Sequence, residues 1–392
     1  LRAVAARRRM AGRYPEAWAL LGRAGAWEDQ LGLVVEVCWM PVPLVDPEVL
    51  SDWRRELAGR DPDLPELDLL EGAESLVRAQ EPRVAMPALR RALRRFREGG
   101  QALGEAASLA NAFTAAYYAQ DDDLLDELFE RVVELTDVWA AGGMHDQTEL
   151  ARAVWLRRHE RDHEAVAIFE SIPRSALPGG WNTIRDLHLA DALAGFGQPE
   201  QAAAHLRRWP YQQRDVLGAL YQEILVQCLF DTGAVDEAWD LARADLAEGS
   251  DLGRLRQQLQ VTAAWIAGHL GHTADATRLL AAVRAYGRPG DPWVAEGMVF
   301  ADAVVAVVLG EEQRAASAVA SALPPKGSML RALALSYVLA PAHRAALDAA
   351  ELGPTHAQIR DLAAAVVELR EAGSASRIAR LTSLEPAVVR TA

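Results

Sequence analysis

A glycine-centred phrase recurs along this chain at nearly constant spacing, and that recurrence leaves few folds open. In 189–206, LADALAGFGQPEQAAAHL, an apolar stretch ends at Gly197, a polar turn follows, and a second apolar stretch opens with Ala202 and Leu206. A small residue five positions past the break, with an aliphatic or aromatic one four later, lets two antiparallel helices pack closely. The phrase returns at Gly233 with Ala238, at Gly271 with Ala276 and at Gly310 with Ala315. Weaker copies sit at Glu160 with Ala165, Gln120 with Leu125 and Gln80 with Ala85. Successive breaks are 40, 40, 37, 36, 38 and 39 residues apart. Two-helix units at such a period predict an all-α fold, a right-handed α-solenoid of helix-turn-helix repeats.

The remaining sequence divides around that array. Residues 1–40 read as an N-terminal helix pair broken at Gly12, with Trp18 and Trp27 against its apolar face. Residues 41–66 read as a connector, because Pro41, Pro43, Pro47, Pro62 and Pro65 each stop a helix from running through. Asp46-Pro47 starts a short helix inside it, carrying Trp53 and Leu57. The superhelix is expected over 67–322, with helices at 67–79, 82–98, 102–119, 122–140, 147–159, 162–171, 182–195, 199–208, 213–231, 235–248, 251–269, 273–286, 291–309 and 311–322. Residues 323–392 read as capping helices, since the last repeat must cover exposed core.

Bulk properties narrow the function. A hydrophobic fraction of 51% is ample for a core, and a net charge of −14 makes the chain as a whole repel nucleic-acid phosphates. Only Cys38 and Cys228 are present, without metal or redox spacing, which points to a reducing, cytoplasmic setting. No run of 18 apolar residues reads as a membrane span. Opening at Leu1 in LRAVAARRRM, mid-helix in character, the sequence reads as part of a longer chain.

The glycine-turn-alanine phrases resemble tetratricopeptide (TPR) repeats lengthened by a few residues. The N-terminal third adds RRMAGRYPEAWALLGRAGAWEDQ (8–30), LSDWRREL (50–57), LPELDLLEG (64–72) and AMPALRRALRRFREGG (85–100). In that order these resemble the superhelical sensor region of MalT-like bacterial transcriptional regulators, of the STAND and LuxR type. The resemblance covers roughly residues 1–322. It implies neighbouring NTPase and DNA-binding modules in the parent chain, and repeats that bind an inducer or an inhibitory partner. The phosphate loop G-x-x-x-x-G-K-[ST] does not occur here, so this stretch is not expected to hydrolyse ATP by that route, and no cofactor is expected.

Several motifs could carry chemistry. His159-Glu160-Arg161-Asp162-His163 satisfies H-E-x-x-H, but a zinc protease needs both imidazoles on one continuous helix. Here a turn is expected inside the motif, with Asp162 as N-cap of the next helix. Asp121, Asp122 and Asp123 precede Leu124, where acidic residues favour a helix N-terminus. GSASRIARLTSLEPAVVRTA (373–392) has two readings: the start of a DNA-binding helix-turn-helix using Arg377, Arg380 and Arg390, or a terminal capping hairpin.

The concave groove remains. Counting back three, six, ten and thirteen residues from each break gives the lining of the first helix of each pair. The polar and aromatic candidates are Thr114, Tyr117, Arg157, Asp191, Glu223, Gln227, Gln258 and Trp265. The expected function is non-catalytic: an effector-sensing or protein-interaction region binding a small molecule or a partner polypeptide. The alternative is a scaffold gripping a partner protein, with no transcriptional role.

Overall fold

The structure is a computed structural model that describes residues 1–39, 45–78, 82–119, 121–141, 145–159, 161–174, 180–210, 216–248, 254–286, 292–311 and 313. Among these residues the fold is all-helical, with no strand. The helices begin with α1 (Arg2–Met10), α2 (Tyr14–Arg23), α3 (Trp27–Cys38), α4 (Pro47–Ala58) and α5 (Pro65–Arg78). A 3-10 turn at Pro82–Ala85 leads into α6 (Met86–Glu98), then α7 (Ala102–Tyr118), α8 (Asp122–Ala141) and α9 (His145–Arg158). Next come α10 (Asp162–Ser171), α11 (Gly180–Gly195), α12 (Pro199–Arg208) and α13 (Val216–Asp231). The described helices close with α14 (Val235–Glu248), α15 (Arg254–His269), α16 (Thr273–Ala285) and α17 (Pro292–Val308).

The recurring breaks owe their form to one backbone device. At Gly197 φ is +81°, a left-handed conformation that costs a residue with a Cβ but not glycine. Gln198 N–H donates to Leu193 O at 2.8 Å and Gly197 N–H to Ala194 O at 3.0 Å, the paired bonds of a Schellman cap. The longer bond recurs after Gly233 (Ala234 to Leu229, 2.9 Å) and Gly271 (His272 to Ala267, 2.8 Å). Two of the three non-glycine breaks close the same way, from Arg161 to Leu156 at 3.0 Å and from Asp121 to Ala116 at 3.1 Å. The turn is thus set by the local bonds, and glycine only makes it cheaper.

Beyond each turn the small residue lies where the phrase required it. Ala165, Ala202, Ala238 and Ala276 are fully buried, as are Ala85 and Leu125. From α4 onward consecutive helices pack on one another, and in addition α9 packs on α11, α11 on α13, α13 on α15 and α15 on α17. Nearer the N-terminus α7 packs on α3, α5, α6 and α8, which is why its alanines are buried on nearly every side. Buried apolar side chains from Ala5 to Ala306 form one connected cluster.

The structure departs from expectation at two places and adds packing at a third. The first forty residues hold three helices rather than a pair, because Gly25 (φ +63°) ends α2 and Trp27 opens α3. The proline-rich connector is packed: Trp53 of α4 stacks on Trp18 of α2 with centroids 4.4 Å apart, and Glu56 accepts Trp18 Nε1–H at 2.8 Å. The segment 82–98 opens with a 3-10 turn, since Pro87 in the first turn of α6 fixes where the α-helix proper begins. Nearly all of the helix expected at 311–322, and all of the capping stretch 323–392 with Arg377, Arg380 and Arg390, lie outside the described residues.

Several buried charges of this core are paired, which offsets their desolvation. Asp68 takes Arg91 and Arg95, both at 2.8 Å, and Glu105 takes Arg97 at 3.0 Å and Arg131 at 2.6 Å. Asn111 donates to Cys38 O and Ala107 O, tying α7 to the end of α3.

Candidate binding face

Because α9, α11 and α13 pack side by side, residues near their middles and C-termini form a continuous face, joined by the end of α7. At its centre the Arg157 guanidinium lies between two carboxylates. Its Nε donates to Asp191 Oδ2 at 2.8 Å, its Nη2 lies 2.6 Å from Asp191 Oδ1, and its Nη1 donates to Asp162 Oδ1 at 3.3 Å. Burial works to lower the guanidinium's affinity for its proton, but Asp191, Tyr117 and Asp162 together outweigh it and hold the charge firmly.

Two rings from other helices close around this centre. His188 of α11 meets Tyr117 of α7 edge-on at 5.8 Å and stacks on Phe169 of α10 at 6.2 Å. Burial drives the imidazole down to about 4 against the pull of Asp191, so it is neutral at pH 7. Burial pushes the Tyr117 hydroxyl well up, with Arg157 opposing, so it stays a protonated donor. Farther along, burial raises the Asp231 carboxyl at the end of α13 to about 7. Burial also raises the Cys228 thiol, and the negative field of Asp231, Asp191 and Glu223 raises it further. Three carboxyl groups therefore act on this one buried thiol.

The structure brings Tyr117, Arg157 and Asp191 together and sets Glu223 within electrostatic reach of Asp191 through Cys228. Gln227 is half-buried on α13. The other candidates belong to the interior. Thr114 is 9% exposed and donates its hydroxyl to Ala110 O at 2.9 Å, within its own helix. Gln258 is buried, and Trp265 is wedged between Phe230 at 4.7 Å and Phe300 at 4.4 Å. His188, Cys228 and Asp231 escaped the sequence reading because they lie nine, five and two residues before their glycines, off the counted positions.

The H-E-x-x-H stretch is split between helices. α9 ends at Arg158 and α10 starts at Asp162; His159 Nε2 lies 2.8 Å from Asp126 Oδ1, while the His163 ring lies 6.3 Å from Phe196. Asp162 is the first residue of α10 rather than its N-cap, and its buried carboxylate turns to Arg157. Asp121 does cap α8, accepting Leu124 N–H at 3.3 Å.

Among the described residues no group of three or more histidine, cysteine, aspartate or glutamate side chains is arranged to hold a metal ion. No helix among them is long and apolar enough to cross a membrane. Comparison with known proteins gave no matching family model and no matching curated protein.

Proposed function

We propose that this chain is an α-solenoid of TPR-like repeats, the effector-sensing and protein-interaction region of a cytoplasmic bacterial transcriptional regulator of the MalT-like kind. It binds a small effector or a partner polypeptide along the face built by α7, α9, α11 and α13. The observation that carries the reading is the side-by-side packing of every second helix from α9 to α17. Stacked first helices of this kind line up their exposed side chains into one extended surface. On that surface Tyr117, Arg157, His188 and Asp191 supply an aromatic, polar, charge-bearing patch of the sort that fixes the orientation of a ligand.

Binding without turnover fits the state of the candidate nucleophiles. Burial raises the Cys38 thiol to about 12 and lifts Cys228 well above its ordinary range, so neither offers a thiolate at pH 7. The mechanism is a population shift: an effector that binds one curvature of the stack better than another changes how it meets neighbouring modules.

The test is thermal denaturation of the full chain with a metabolite library and, separately, a peptide library. A metabolite that raises the melting temperature of the wild-type protein but not of Tyr117→Ala supports a sensor. Stabilisation by polypeptides alone supports the scaffold instead. If neither class discriminates between wild type and Tyr117→Ala, the face is not a binding surface.

A further inference from the structure

Asp186 and His188 are two residues apart on α11, about 200° around the helix, so their side chains leave it on nearly opposite sides. Behind Asp186, away from the face described above, is a cavity of about 210 Å³ lined by Arg174, Thr183, Asp186, Leu206, Trp209 and Tyr221. That is smaller than the pockets of drug-sized ligands, which run to several hundred cubic ångströms.

The charge around this cavity is unbalanced. Among the described residues Asp186, 5% exposed, is the one carboxylate that pairs with Arg174, Arg185 and His205; Arg185 lies 2.5 Å away and His205 Nε2 3.1 Å. Arg174 Nη1 also bonds Asp186, and its guanidinium lies 4.0 Å above the Trp209 ring, which Arg208 approaches at 5.4 Å. Arg185 is 6% exposed and spends its Nη1 on Ile172 O at 2.6 Å. Glu170 also reaches His205 electrostatically and offsets part of the excess, while Arg207 is turned away onto Glu237.

Two further features define the walls. Tyr221 is buried and donates its hydroxyl to Leu206 O at 2.9 Å, leaving its ring as apolar wall beside Leu206. Burial, with Arg185, Arg174 and Arg208 adding to it, drives His205 down to about 4. The same burial lowers both Arg174 and Arg185. Such shifts are those of groups short of a negative partner.

We propose that this cavity binds a small organic anion, its carboxylate or phosphate head on the Arg174 guanidinium beside Asp186 and its short apolar body against Trp209, Leu206 and Tyr221. The Arg174 fork, already oriented over an aromatic ring, suits planar recognition of such a head group. The site stands apart from the α7–α13 face and holds whether or not that face grips an effector.

Isothermal titration of the full chain with benzoate and with inorganic phosphate, at ionic strength held constant with sodium chloride, tests this. The expected result is saturable one-site binding of benzoate, weakened about tenfold or more by Arg174→Gln through loss of a charge-assisted bond. Arg207→Gln, which removes an exposed neighbouring charge, should leave it unchanged. Bound benzoate should also raise the titration of the His205 ring, read by NMR, from about 4. Should Arg174→Gln misfold, Trp209→Ala serves, because that ring is 39% exposed; it should weaken benzoate severalfold and leave phosphate alone. Absence of saturable benzoate binding, or equal weakening by Arg174→Gln and Arg207→Gln, overturns the proposal. So does phosphate binding as tightly as benzoate with no response to Trp209→Ala.

Discussion

The Arg157 guanidinium and the Asp191 carboxylate meet in two parallel contacts, Nε to Oδ2 at 2.8 Å and Nη2 to Oδ1 at 2.6 Å, across the packed pair α9 and α11. Such a fork has directional as well as electrostatic value. With Asp162 on the third nitrogen, one cation ties three consecutive helices of the array, α9, α10 and α11.

Removing that cation is costly because two carboxylates are left behind. The Arg157 side chain is 21% exposed and that of Asp162 only 4%. Arg157→Gln should destabilise the chain by about 2–3 kcal/mol, somewhat below the loss for a fully buried pair. The companion Asp191→Asn leaves Asp162 in place and should cost less, about 1–2 kcal/mol. Urea denaturation of both variants and the double mutant gives the coupling; additivity would mean the fork contributes nothing beyond its separate parts.

Three glycines should respond to alanine with different signs or causes. Gly197 holds φ +81°, so Gly197→Ala should lose about 1–2 kcal/mol to backbone strain alone. A Cβ on Gly104 would come within 2.3 Å of the Phe96 ring, so Gly104→Ala should cost about 1–3 kcal/mol by overpacking the contact of α6 with α7. Gly32 in α3 has open space where a Cβ would go, and Gly32→Ala should gain about 0.5–1 kcal/mol from helix propensity. Melting temperatures of the three variants check both the signs and their order.

The succession of helical hairpins was legible in the sequence because one local device repeats. A left-handed residue, an alanine five positions on and a long side chain four later suffice to mark each hairpin, and Ala202 and Leu206 lie buried as that pattern requires. What escaped was whatever depends on two distant pieces. The stack of Trp53 on Trp18 bridges 35 residues, so the prolines of the connector were visible and its packing was not. The same holds for the face. Counting from each glycine found Arg157 and Asp191, but helical phase alone cannot say that Thr114 would bond its own helix or that Trp265 would meet Phe300. Nor does a count of charges in sequence reveal that, among the described residues, one carboxylate, Asp186, pairs with both Arg174 and Arg185.

The connector helix offers a direct check of that missing link. Trp53 is 4% exposed, and Trp53→Ala removes a stacked ring and opens a cavity between α2 and α4, at an expected cost of about 3–5 kcal/mol. Glu56→Gln keeps the stack but weakens the acceptor for Trp18 Nε1–H, and should cost about 1 kcal/mol or less. A loss of near-ultraviolet circular dichroism in Trp53→Ala that Glu56→Gln does not share would tie the signal to the stacked pair. If Trp53→Ala unfolds at the wild-type urea midpoint, the connector is no part of the cooperative core.

Protons give the last test, because the buried histidines and the buried carboxyls pull in opposite directions. His188, His205 and His269 are each driven by burial to about 4, below the ordinary imidazole range. The unfolded chain therefore takes up protons on these rings before the folded chain does. Their contribution is complete above about pH 6.5 and is lost as pH falls through about 4. Asp231 behaves inversely: with its folded carboxyl at about 7, the folded chain holds a proton that the unfolded chain has released. Its contribution is complete below about pH 4 and is lost as pH rises through about 7. Three imidazoles outnumber one carboxyl with so large a shift, and Glu36 and Glu66, which burial also raises, add only to the smaller side. Unfolding free energy should therefore rise between pH 4.5 and about 6.5 and flatten toward pH 7.5. His188→Gln should reduce the rise, and Asp231→Asn, by removing the opposing slope between about pH 4 and 7, should steepen it. A wild-type profile that falls steadily from pH 4.5 upward would mean that these imidazoles are solvated in the folded chain, and the buried ring between Tyr117 and Phe169 would go with them.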